Sequence, residues 1–168
     1  MRPKQILAIV VLLFVAFLIV YPPLASSSVA VALSPSSSLT AEHVYVTIAE
    51  ISAHRADTGE PSGWSSVSNK TIEVDLAAVN STQSVALGSL PLGQYDSIRI
   101  RISNATIVVN GTSKKAQLNS NVFIASVSFM VQLGSQAHVV LSVTSGLDES
   151  TGTATLNLSF TTIPVKSS

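Results

Sequence analysis

The sequence predicts an all-β fold: a single antiparallel β-sandwich of Greek-key, immunoglobulin- or pilin-like type, following an N-terminal signal segment. Three observations predict it. Apolar residues alternate with period two nearly everywhere past Ser28, no stretch carries a convincing 3.6-residue period, and turn chemistry interrupts the pattern at short intervals. Eight to ten short strands at this spacing fit two packed sheets better than a closed small barrel.

In order along the chain, Val29, Val31 and Leu33 alternate with Ala30 and Ala32, and Ser34-Pro35-Ser36-Ser37-Ser38 follows as a linker. Val44, Val46 and Ile48 open a strand that continues to His54, and residues 57–63 form a loop by their Gly, Pro and Asp content. Ile72, Val74 and Leu76 face inward opposite Thr71, Glu73 and Asp75, and Val85 and Leu87 make a short strand ending at Gly88. After the Leu90-Pro91-Leu92-Gly93 turn, Ile98, Ile100 and Ile102 share one face while Ile107 and Val109 fall on the opposite parity. A one-residue bulge between Ser103 and Ala105 reconciles the two sets. Asn110-Gly111 is a hairpin turn signal. Two more strands carry Phe123, Val127, Phe129, Val131 and Leu133, then Val139, Leu141 and Val143. A loop is expected at 146–152, and a last strand turns Ala154, Leu156, Leu158 and Phe160 inward.

Residues 1–27 are expected to be a secretory signal and residues 28–168 the sandwich domain. Arg2 and Lys4 precede an unbroken apolar run from Ile6 to Val20, and Pro22-Pro23 and the small residues Ala25-Ser26-Ser27 follow it. Fifteen apolar residues fall short of the ~20 that span a bilayer. The alternative is an uncleaved anchor extended through Leu24, and in either case the N-terminus is the only membrane contact expected. Without Arg2 and Lys4, seven cationic side chains face nine acids, so no basic face for nucleic acid is expected. The chain has no cysteine, which excludes disulfides, thiol catalysis and a lipid-modified cysteine. About 140 mature residues suffice for one well-packed domain.

Five Asn-x-Ser/Thr triplets, at Asn69, Asn80, Asn104, Asn110 and Asn157, carry no proline at the middle position. In an exported chain they point to N-linked glycans. Asn157 falls on the polar side of its strand, and Asn104 at the expected bulge, both accessible to a transferase.

No constellation for catalysis emerges, and no cofactor, metal or enzymatic activity is expected. His43 and His54 stand eleven residues apart on one strand, too far at ~3.3 Å per residue to share a metal. They and His138 are expected to be solvated or edge residues. Asp148-Glu149 offers too few oxygens for Ca²⁺. Glu50, Asp57 and Glu60 read as solvated charges, and Trp64, Tyr45 and Tyr95 as rim packing rather than a carbohydrate-stacking patch. Arg99 and Arg101 are expected to pair with Glu73 and Asp75 across strands. A surface hydrolase is the weakest reading, since no nucleophile has a base in matching sequence context.

The segment His43 to Arg55 (HVYVTIAEISAHR), followed by Gly63-Trp64, resembles the opening of domain-of-unknown-function family 4382. Val74-Asp75-Leu76 and Leu90-Pro91-Leu92-Gly93-Gln94-Tyr95-Asp96-Ser97-Ile98-Arg99-Ile100 continue the resemblance, over residues 29–131, with the C-terminal third departing from the family pattern. The resemblance implies a secreted prokaryotic β-sandwich and supplies no catalytic residues. Combined with N-glycosylation it implies an archaeal cell-surface protein, and a low charge content suits an acidic medium because little depends on carboxylate ionisation.

The chain is similar in type to archaeal thread-like pilins, and the expected function is that of a structural subunit of a glycosylated extracellular filament. Subunits would join head to tail by donor-strand complementation, a homopolymer in which one subunit's strand completes the next subunit's sheet. The candidate donor is residues 29–33, with Val29, Val31 and Leu33 as plugs. Val31→Asp is expected to abolish polymer and leave a soluble monomer. The alternative function is a monomeric, surface-anchored sandwich that binds glycan or peptide through loop tips such as Gly59 to Trp64.

Overall fold

The computed structural model describes residues 26–35, 41–77, 82–148 and 154–163. Residues 1–25 of the expected signal (1–27), and the anchor reading with them, lie outside it, as does Asn80, whereas Ser26 and Ser27 of that expected signal are described and belong to the first strand. The described chain is all-β, built from two packed sheets. In order the strands are β1 (Ser26–Pro35), β2 (His43–Arg55), β3 (Trp64–Ser68), β4 (Ile72–Asp75), β5 (Gln83–Pro91) and β6 (Gly93–Val109). They continue with β7 (Thr112–Lys115), β8 (Gln117–Leu118), β9 (Val122–Val131), β10 (Gln136–Asp148) and β11 (Thr155–Ile163).

One sheet has the order β5-β1-β10-β11-β8. The other is centred on β2 and β6, with β3 and β4 sharing the far edge of β2, and β7 and β9 sharing the far edge of β6. This second sheet is antiparallel throughout. The first is mixed, because β1 runs parallel to β10 and β8 parallel to β11. That departs from a uniformly antiparallel expectation, and its cause is chain direction. β1 and β10 both start at the pole that carries the Pro91–Gly93 turn, here the proximal pole, and run toward the distal pole where β2 begins.

The alternation expected from sequence is the burial pattern observed. Val29, Val31, Leu33, Val44, Val46, Ile48, Ile98, Ile100, Ile102, Ile107, Leu141, Leu156 and Leu158 share one core between the sheets. The β6 bulge falls where the parity changes: Thr47 pairs with Asn104 and Ile48 with Ile102, so Ser103 is the extra residue and Ala105 returns inward. Asn110 (φ 51°) and Gly111 (φ 70°) form the β6–β7 turn, both left-handed as a tight hairpin requires.

Three expectations are corrected, and one strand is additional to those expected. β5 runs past Gly88 to Pro91, and a bulge at Val85 puts Val85 and Ala86 both inside and turns Leu87 out to solvent. Leu133 lies beyond β9 in a turn and is exposed. Gly146 to Asp148 is strand, paired with β11, rather than loop. The segment Trp64–Ser68 is a strand against β2. The corner between β3 and β5 is tight: a Cβ on Gly88 would sit 1.9 Å from the Val67 carbonyl oxygen, so only glycine lets the two edges approach this closely.

Candidate functional site: the slot filled by the first strand

β1 is the first strand of the described chain and lies inside its sheet, not at an edge. It pairs with β5 on one side, Ser26 to Leu33 against Pro91 to Gln83, and with β10 on the other, Ser28 to Pro35 against Gln136 to Val143. Neither partner is its neighbour in sequence. Lifting β1 out would open two internal strand edges, whose unpaired N–H and C=O groups are costly away from water.

The side chains set the fit. Val29, Val31 and Leu33 are 0%, 0% and 1% exposed, and each such burial contributes about 1.5–3 kcal/mol. Val29 lies between Gly88 and Ala137, Val31 between Ala86 and Val139, and Leu33 between Gln83 and Leu141. Ala30 and Ala32 face outward and are half-buried. Buried Ser27 donates from its hydroxyl to the Ser135 carbonyl, which fixes the proximal end of the strand. The candidate donor at 29–33 is therefore the centre of a ten-residue strand that, in the single chain, completes its own sheet.

Four of the five glycosylation triplets lie on described residues, and all four asparagines are exposed. Asn69 follows β3 and accepts a hydrogen bond from Ser66 Oγ at 2.8 Å. Asn104 sits beside the β6 bulge on one sheet, Asn157 on the outer side of β11 in the other, and Asn110 in the distal hairpin. The proximal pole carries none of the four.

A second cluster occupies the outer face of the β2–β6 sheet. His54 is 5% exposed, not a solvated strand end, because the 56–63 loop folds over it. Its Nδ1 lies 2.9 Å from Asp96 Oδ1, and its ring tilts against Trp64 at 5.0 Å between centroids. Its Nε2 is buried and closes no hydrogen bond. The hydrogen bond to Asp96 raises the His54 pKa above its ordinary value and outweighs desolvation, while the same bond lowers that of Asp96. The Arg99 guanidinium lies 4.4 Å from the Trp64 ring centroid and donates to Ser52 Oγ at 3.1 Å.

Arg99 and Arg101 both pair with Glu50, at 3.5 and 3.3 Å, and not with Glu73 and Asp75. β4 carries those two acids on the far side of β2, out of reach of β6. Asp75 instead accepts from the Val44 and Ala77 amides and lies 2.6 Å from His43 Nδ1. The aromatic trio is not assembled. Tyr95 is fully buried, stacked on Phe129 with its hydroxyl donating to Pro91 O, and Tyr45 stacks on His43 at the distal end of β2. Nor do the acids cluster: Asp57 pairs with Arg55, and Glu60 accepts from Trp64 Nε1. Sequence reasoning missed Asp96 and Glu50 as partners. Their outward position on adjacent strands was the available signal, but cross-strand register had to be known to use it.

A family profile described as "Domain of unknown function (DUF4382)" matches residues 26–164. The match runs through the C-terminal third, which the sequence comparison of motifs had placed outside the family pattern. No curated protein and no solved structure matches the chain.

Proposed function

The chain belongs to the DUF4382 family, whose description assigns no activity, and we propose that it is a structural subunit of an extracellular filament, exported by its N-terminal signal, N-glycosylated, and joined head to tail by donor-strand complementation. The observation that supports this reading is the position of β1. A strand at the N-terminal end of the domain, tethered to the rest by residues 36–40 alone, fills an internal slot through backbone pairs and three apolar plugs. The same strand from a neighbouring copy offers the same backbone groups and apolar plugs, so exchange costs little in contacts while linking subunits. The alternative, a monomeric glycan- or peptide-binding module at the cell surface, loses its recognition aromatic, since Trp64 is engaged by His54, Glu60 and Arg99.

The test is negative-stain electron microscopy of the sheared surface fraction of the native organism beside a deletion strain, with mass spectrometry of the filaments. Thin filaments containing this chain, absent from the deletion strain, are expected. Unchanged filaments with the protein recovered as a membrane-bound monomer would sink the subunit reading in favour of the binding module.

A further inference from the structure

The direction of β1 and the length of its tether constrain how it can reach a neighbour. Within one chain β1 runs from the proximal to the distal pole, and β2 begins at the distal pole. The far end of the tether is fixed there: Ala41 is buried, and the Glu42 amide donates to Val108 O at 2.9 Å. From Pro35 to Ala41 the chain has six residue steps, at most about 22 Å fully extended. β1 itself has ten residues, about 33 Å of strand.

In an end-on arrangement the distal pole of one subunit meets the proximal pole of the next. The proximal pole suits such a contact, because it carries exposed Leu133 and Met130 and none of the described glycosylation triplets. Asn104 and Asn157 lie on the two flat sides and Asn110 in the distal hairpin, so the end-on contact rests on the bare proximal pole and on the tether leaving from the distal pole. If the donated strand kept its direction, Pro35 would have to lie at the neighbour's distal pole, about a full strand length (~33 Å) from its own, and the tether falls short. If the strand is reversed, Pro35 lies at the neighbour's proximal pole, directly across the junction.

Resting on the filament reading above, we propose that β1 enters its neighbour's slot in the reverse of the direction it takes in its own fold, antiparallel to β10 and parallel to β5. Period-two alternation is indifferent to direction, so reversal about Val31 keeps every plug inward. Val31 stays in its own pocket, Val29 takes the Leu33 pocket and Leu33 the Val29 pocket, while Ala30 and Ala32 exchange places on the outer face. The bonds to β10 change from the parallel to the antiparallel pattern and those to β5 from antiparallel to parallel, so the slot keeps one ladder of each kind and reversal costs little in backbone pairing.

Cysteine pairs read the direction directly, because the chain has no cysteine of its own. In the single-chain register Ala30 opposes His138 and Ala32 opposes Val140. In the reversed register Ala32 opposes His138 and Ala30 opposes Val140. Adjacent strand positions fall within the Cα separation a disulfide accepts. Mature full-length protein carrying Ala32→Cys/His138→Cys or Ala30→Cys/Val140→Cys is assembled, oxidised and run on a non-reducing gel. The expected result is a ladder of covalent multimers from both pairs. The matched pairs Ala30→Cys/His138→Cys and Ala32→Cys/Val140→Cys are expected to give only an internally linked monomer. These four variants use the same four positions, so loss of folding at any one of them shows in both sets. A ladder from the matched pairs instead would overturn reversal and leave the filament reading standing. Links confined to monomers in all four would overturn both together.

Discussion

The two sheets are held together differently. The outer face of the β2–β6 sheet is tied side chain to side chain: His54 to Asp96, Arg99 and Arg101 to Glu50, His43 to Asp75, and Trp64 beneath Arg99. On the outer face of the β1-containing sheet the described residues are mostly Ala, Ser, Thr, Gln and Asn, and none of the described ion pairs lies there. That sheet is held chiefly by its backbone ladder and by apolar plugs from below, with side-chain ties to backbone such as Ser27 to the Ser135 carbonyl and Asn119 to Leu158. A strand so held is replaceable, because any segment with the same alternation makes the same bonds. A strand of the other sheet is not, because its outward residues have specific partners. On the filament reading proposed above, the contrast separates a fixed frame from the strand that would be donated.

The sharpest way to break that contrast is Val31→Asp. Val31 is 0% exposed in its own fold, so an uncompensated carboxylate there is expected to cost about 3–5 kcal/mol. The sequence alone suggested that this change spares the monomer. The position of β1 in its own sheet predicts instead that it removes the polymer and lowers the monomer's Tm together, as circular dichroism melts would show. A normal melt without polymer would mean that β1 is not required to close its own sheet.

Gly88→Ala tests the seam between the sheets. The added methyl meets the Val67 carbonyl oxygen, a backbone atom, at 1.9 Å, and overpacking of this kind costs about 1–3 kcal/mol. Because β5 forms one wall of the slot, the same variant is expected to exchange β1 faster, seen as quicker amide hydrogen exchange over residues 28–33 than in β2. Unchanged exchange would show that the corner can relax without disturbing the slot.

Val29→Leu/Leu33→Val is a smaller and more selective change. In the closed monomer it overfills one plug site and underfills the other, for a loss of about 1–2 kcal/mol. In a reversed donated strand it restores each pocket to its native occupant. The expected outcome is a lower monomer Tm with an equal or larger polymer fraction by light scattering. If both fall together, the strand keeps its direction.

Much of the fold was legible before the structure because burial here follows alternation. Ile102 and Ile107 on opposite parity located the β6 bulge, and Leu156, Leu158 and Phe160 gave the face of β11. The pattern misplaced Leu87, because Ala86 beside it is small enough to sit in or out and hides the Val85 bulge. Strand neighbours were not legible at all. The pairing of β1 with β5 and β10 joins segments at least fifty residues apart, and no local signal encodes it. The same holds for the outer-face cluster. Glu50, Asp96 and Arg99 read as ordinary outward charges, and only the register of β2 on β6 brings them together. His54 looked like a strand end because the loop that covers it is polar and carries no apolar signal of its own.

The gentlest probe of the fixed sheet is pH. The His54 pKa is raised above its ordinary 6.5, first by the Asp96 hydrogen bond and less by the charges of Asp96 and Glu60, against desolvation. The folded state therefore holds that proton more tightly than the unfolded chain does. Its stabilisation is complete below pH 6.5 and fades as pH rises through the raised folded value. Asp96 runs the other way: lowered from 3.8 by the same hydrogen bond, its contribution is present above that value and fades as pH falls through the lowered one. The pair thus stabilises most between about pH 4 and 6.5, its two ordinary pKa values. Asp96→Asn keeps an acceptor for Nδ1 but removes the charge, leaving a buried imidazolium without a counter-ion. Wild-type Tm is expected to rise between pH 8 and pH 5.5 by more than that of the variant, the difference between the two slopes isolating this pair. Equal slopes would mean that the imidazole stays neutral throughout and that Trp64 and the 56–63 loop, not charge, hold His54 in place.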